Sequence, residues 1–133
     1  MKAISSKRVR GLNLGSIVIA ADNSGAKIVK ITGVKRGKSK KGRQISCGVG
    51  DLVKVSVRKG NPDMTGNLFD AVVLRQKKPF RRKTGERIAF EDNAVALLKD
   101  DKGNPKGTQI RGPIAREISE RFPSVAKIAS IVV

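Results

Sequence analysis

A chain of 133 residues with 29 Lys/Arg, 11 Asp/Glu and no histidine carries a formal net charge of +18. The missing histidines and the single cysteine, Cys47, exclude an intramolecular disulfide and a zinc site of the usual Cys/His kind, while so large a charge repels itself unless a polyanion lies beside it. Nearly all of it sits in residues 1–87, with 22 Lys/Arg against 5 Asp/Glu; residues 88–133 hold 7 against 6.

The length suits one domain with one core. That core is aliphatic, since Trp and Tyr are absent, and 14 Val and 12 Ile against 7 Leu favour half-buried strands over helices. Residues Met1 to Arg10 are basic but lead into no apolar stretch of signal-peptide length, and no run approaches a membrane span. A cytoplasmic protein with no membrane partner is expected.

In chain order, Ile17–Ala21, the turn formers Asp22-Asn23-Ser24-Gly25, and Ala26–Val34 predict a hairpin. Asp51–Arg58 is the cleanest strand: Val53, Val55 and Val57 share one face, and Lys54, Ser56 and Arg58 share the other. Ala71–Leu74, Ile88–Phe90 and Ala94–Leu98 are shorter candidates, punctuated by turns at Gly60-Asn61-Pro62, Thr65-Gly66-Asn67 and Gly103–Gly107. Short strands with frequent turns predict a compact barrel. Further on, Pro113 suits a first helical turn, with Ile114 and Ile118 four apart on one face. Pro123 opens a second short helix from Ser124 to Ala129, or else Val125 to Val133 form a terminal strand. The expected organisation is a single domain, residues 1–99 forming a barrel with basic loops and residues 100–133 a loop with short helices.

Two cationic clusters stand out. Lys35, Arg36, Lys38, Lys40, Lys41 and Arg43 are interleaved with Gly37, Ser39 and Gly42; Arg75, Lys77, Lys78, Arg81, Arg82 and Lys83 repeat that density. Each joins two strand candidates and so should project as a loop whose crowded charges require counter-charge. Phosphate supplies it, because Arg offers a planar fork, Lys a point charge, and the glycines let backbone approach closely. With the strand-face cations Lys54 and Arg58 and the adjoining Lys59, the clusters predict a nucleic-acid surface. Phe80 either stacks on an unpaired base or folds back onto the barrel. Helix-turn-helix, zinc-finger and basic-zipper signatures are missing, and four Phe cannot make an extended stacking platform, which favours structured RNA bound by shape and phosphate.

No enzyme is indicated. Gly37-Lys38-Ser39 lacks the earlier glycine of a P-loop, Gly48-Val49-Gly50 lacks the third glycine of a dinucleotide fingerprint, and Asp100, Asp101 and Asn104 do not follow calcium-loop spacing. Without histidine, Cys47 lacks its usual base and reads as a buried structural thiol. No catalytic residue, metal or cofactor is expected.

Five ordered blocks, Ala20–Lys27, Gly48–Asp51, Ala71–Arg75, Phe90–Ala94 and Gly112–Glu117, resemble the L-fourteen family of large-subunit ribosomal proteins. The Phe90–Ala94 block and the basic lead resemble its archaeal and eukaryotic branch. Thr84 before Gly85 and Ala96 depart mildly from the family pattern as positions where Asp, Asn or Ser, and Val, are usual. The resemblance implies a mainly β protein: a small five-stranded barrel with projecting basic hairpin loops and a short helical C-terminal segment. It further implies a structural role in the large subunit, binding to 23S-type rRNA, and intersubunit bridges to small-subunit rRNA. The neighbours it implies are ribosomal proteins L-three and either L-nineteen or L-twenty-four-e, together with a subunit anti-association factor. By position, Lys35–Arg43 and Arg75–Lys83 would face RNA, and Arg111, Pro113, Ile114, Arg116, Glu117, Glu120, Arg121 and Phe122 would face protein. The competing reading is a free RNA-binding barrel acting as a chaperone or translation factor.

Overall fold

The computed structural model describes residues 2–4, 8–35, 37–39 and 41–133. In chain order its elements are β1 (Leu12–Asn13), β2 (Ile17–Ala20), β3 (Ala26–Val34), β4 (Ser46–Cys47), β5 (Leu52–Gly60), β6 (Leu68–Arg75), β7 (Phe80–Arg81), β8 (Arg87–Ile88) and β9 (Ala94–Leu98). They are followed by β10 (Ile110–Ile114), α1 (Arg116–Arg121), α2 (Pro123–Lys127) and β11 (Ala129–Val132). Strands β2-β3-β5-β6-β9 close into a five-stranded barrel. Every neighbouring pair is antiparallel except β2 and β9, whose parallel pairing seals it. Closure leaves none of these five strands as a free edge for unwanted pairing.

The valine alternation of β5 follows from its position. Val53, Val55 and Val57 fill the barrel interior with Val18, Val29, Ile31, Ala71, Val73, Val95 and Leu97, while Lys54 and Ser56 stand outside, half-buried, and Arg58 is exposed. Strands β6 and β9 instead have no wet face over Ala71–Leu74 and Ala94–Leu98. Ala71 and Val73 point into the barrel, and Val72 and Leu74 point outward into a second core with Ala94, Ala96, Leu98, Ile114, Ile118, Phe122 and Val125. A strand covered on both faces reads as a continuous apolar run, which is the pattern these two segments carry.

That second layer is a β-α-α-β unit. β10 and β11 pair in parallel, and α1 and α2 supply the crossover that parallel strands need. Two sequence expectations are corrected here. Pro113 lies in β10, opposite Ile131, and the helix starts only at Arg116. A proline is tolerated because β10 belongs to a two-stranded sheet with an open side. Ile114 and Ile118 meet in the second core from a strand and a helix, so their spacing of four was not a helical period. Pro123 does open α2, and a terminal strand follows it, so the two alternatives for this stretch occur in succession.

The Asp22–Gly25 turn joins β2 to β3 and also ties this layer to the barrel. The Asp22 carboxylate accepts the Leu97 backbone N–H at 2.9 Å and the Ser24 hydroxyl at 2.8 Å. Asn23 Oδ1 accepts the Thr108 N–H at 2.7 Å, and Arg111 N–H donates to the Ala21 carbonyl at 2.6 Å.

Candidate nucleic-acid interface

The first cluster is built at the end of β3. In the β5–β6 register Lys54 lies opposite Asp70, and the Asp70 carboxylate binds Lys54 Nζ at 3.3 Å and Lys35 Nζ at 2.8 Å. Burial by itself raises the Asp70 pKa, but the two ammonium groups outweigh it and hold the carboxyl below its usual value. One carboxylate between two cations leaves a net positive root to the loop. Beyond it Lys38, Lys41 and Arg43 are exposed, with Lys41 in the left-handed region at φ 58°. Arg36 and Lys40 lie outside the described residues. Arg58 and Lys59 are exposed near the far end of β5.

The second cluster is not a uniform projecting loop, which corrects the sequence expectation. Arg75 ends β6 with only 6% of its surface exposed. Its Nε and Nη2 bind Asp92 at 2.7 and 3.1 Å, and Nη1 donates to the Arg111 and Pro113 carbonyls at 2.7 and 3.0 Å. Gly112 makes room for this fork: φ is +78°, and a Cβ there would stand 2.7 Å from Arg75 Nη1. Arg82 also turns inward, its Nε and Nη2 binding Glu117 at 2.9 and 3.2 Å while Nη2 reaches the Val133 carbonyl at 2.6 Å. Both guanidinium groups are buried and bonded within the chain, where they serve the fold. Phe80 is buried in the second core with the Arg82 guanidinium 5.9 Å from its ring centre, which leaves it no open face for a base. The cations left exposed are Lys77, Lys78, Arg81 and Lys83. They sit on and before the short hairpin β7–β8, to which Arg87 adds a further exposed cation that sequence reasoning passed over.

Of the residues expected to face protein, Ile114, Glu117 and Phe122 are buried and hold the second layer on the barrel, and Pro113 is half-buried. Arg121 leans on the Phe122 ring at 5.8 Å and donates to the Gly50 carbonyl at 3.1 Å. Arg111, Arg116 and Glu120 remain outside. Beside them β11 and the residue after it expose Ile131, Val132 and Val133, an apolar edge that a short terminal run did not signal.

Among the described residues no group of three or more His, Cys, Asp or Glu could hold a metal ion, and no helix is long and apolar enough to cross a membrane. Cys47 is fully buried, and burial first and Asp51 second push its thiol up to about 12, so thiolate is scarce at neutral pH. A cavity of about 760 Å³ opens beside Phe90, Pro113 and Val133, but of the charges lining it the buried Arg75 is already held by the half-exposed Asp92 and two backbone carbonyls.

Fold and surface together define a class: a small cationic β-barrel with an apolar second layer, whose exposed charge is concentrated on loops and one strand face. Within that class the sequence is specific. The model of the ribosomal protein L14p/L23e family matches residues 11–133. Large ribosomal subunit protein uL14 of Nanoarchaeum equitans is 59% identical over 133 residues, and those of Methanocorpusculum labreanum and Halobacterium salinarum are 50% and 46% identical, each match covering all of both chains. The chain belongs to the ribosomal protein L14p/L23e family, whose members are structural proteins and not enzymes.

Proposed function

We propose that this protein is a structural component of the large ribosomal subunit that binds large-subunit rRNA through its exposed cations. The observation that carries the reading is similarity over the whole chain to archaeal proteins named for the large subunit. The surface agrees with it: Lys38, Lys41, Arg43, Lys77, Lys78, Arg81 and Lys83 are exposed, and no ion pair to a carboxylate of the chain is seen at any of them among the described residues. Phosphate is the counter-charge such a surface accepts.

The finer reading extends from the family resemblance. The first loop and the β5 face meet rRNA, and contacts with small-subunit rRNA form a bridge across the subunit interface. The exposed Arg111, Arg116 and Glu120, beside the apolar edge of β11, meet protein neighbours. Those neighbours are L-three, L-twenty-four-e or L-nineteen, and an anti-association factor. Sedimentation of the tagged protein through a high-salt cushion is the test. It is expected to travel with large subunits, and recovery only from the ribosome-free fraction would sink the proposal.

A further inference from the structure

The hairpin β7–β8 pairs Phe80 with Ile88 and Arg81 with Arg87. Residues directly opposite in an antiparallel pair project from the same face, about 4.5–5.5 Å apart at Cβ. Arg81 and Arg87 are both exposed, so two guanidinium groups stand side by side on the outer face of a ribbon only two strands wide. Like charges in this relation are destabilising, and two-stranded hairpins have little stability in reserve. Neither guanidinium group is hydrogen-bonded or ion-paired to another described residue.

The inner face explains how the pair is held in place. Phe80 is buried, Ile88 packs on the second core, and Arg82 is clamped to Glu117 and the Val133 carbonyl. The turn is closed by Arg82 N–H to the Glu86 carbonyl and Gly85 N–H to the Arg82 carbonyl, both 2.9 Å. A ribbon anchored on one face thus presents two forks in fixed register on the other. Planar forks suit the paired oxygens of a phosphate, and a pair of them with no partner of its own is satisfied by one anion lying between.

We propose that Arg81 and Arg87 form a two-arginine clamp for a phosphodiester of the RNA backbone, with Arg87 an equal member. The clamp rests on the rRNA-binding reading above and narrows it to one contact. It leaves the free protein with a repulsion that bound phosphate removes, so stability and binding respond to substitution in opposite directions. Arg87→Glu places an opposite charge across from Arg81. In the full-length protein its urea midpoint should equal or exceed that of wild type, since the cross-strand pair becomes attractive.

Its affinity for cognate large-subunit rRNA should fall at least about tenfold, and the slope of log K against log salt should shrink by about 0.9 for the lost phosphate contact. Arg81→Glu should behave alike, whereas Lys127→Glu, on the exposed side of α2, serves as a control for net charge. Affinity of Arg87→Glu within twofold of wild type would overturn the clamp while wild-type binding upholds the rRNA reading. A loss no greater than that of Lys127→Glu would also overturn it, because net charge would then suffice. Wild-type protein that fails to bind rRNA would remove both.

Discussion

Asp70, Cys47 and Arg75 show how position overrides residue type. An aspartate among lysines looks like one more surface charge, but the β5–β6 register sets Asp70 between Lys35 and Lys54 and so fixes the root of the first basic loop. Its folded pKa is lowered below the ordinary 3.8, so its stabilising contribution is complete above that value and disappears as pH falls through the folded pKa. Asp70→Asn should therefore flatten the acid limb of a stability-against-pH curve below about pH 4 and leave the limb near neutrality with a constant offset. Cys47 should fail to react with a disulfide reagent at pH 7 in the native protein and react fully in denaturant, because the buried thiol stays protonated. Rapid labelling under native conditions would contradict its placement. The sequence identified Cys47 as structural because no histidine is present to serve as its base, yet counted Arg75 as a ligand for phosphate, since no local pattern reveals that Asp92 and two carbonyls already hold it.

Among the elements, the β7–β8 hairpin is too short to stand without tertiary contacts. Its two strands have two residues each, and the buried Arg82–Glu117 pair joins it to α1. Breaking a buried pair strands one charge without a partner, so Glu117→Gln should cost about 3–5 kcal/mol in a urea melt. The double variant Arg82→Met with Glu117→Leu removes both charges and should recover most of that loss. If Glu117→Gln melts like wild type, the pair is not holding the hairpin. The alternation of β5 and the apolar runs of β6 and β9 were legible because each records how many faces of a strand are covered. The register of β10 with β11 was not, since Ile110 and Ala129 are distant in sequence and a two-stranded parallel pair leaves only a weak pattern in each strand.

For the whole molecule, the charge asymmetry becomes an arrangement in space. The near-neutral C-terminal layer covers one side of the barrel and exposes Arg111, Arg116 and Lys127, while the two basic loops and the far end of β5 carry the denser group of exposed cations. Contacts to about six to ten phosphates should cost roughly three to five decades of RNA affinity between ~50 and ~200 mM salt; an affinity unchanged over that range would contradict an electrostatic interface. Neutralising Lys38, Lys41 and Arg43 together should weaken binding to naked rRNA and reduce the salt slope by about 0.9 for each phosphate contact removed. Arg116→Ala should leave naked-rRNA binding intact and disturb retention beside a protein neighbour, and equal losses from the two variants would refute this division. By itself the sequence determined the aliphatic barrel, the family and the polyanionic nature of the partner, because strand alternation, ordered motif blocks and net charge are properties of the chain read in order. Only the tertiary structure decided which cations are available: Arg75 and Arg82 face carboxylates brought from 17 and 35 residues away, while register sets Arg81 beside Arg87 with no carboxylate between them.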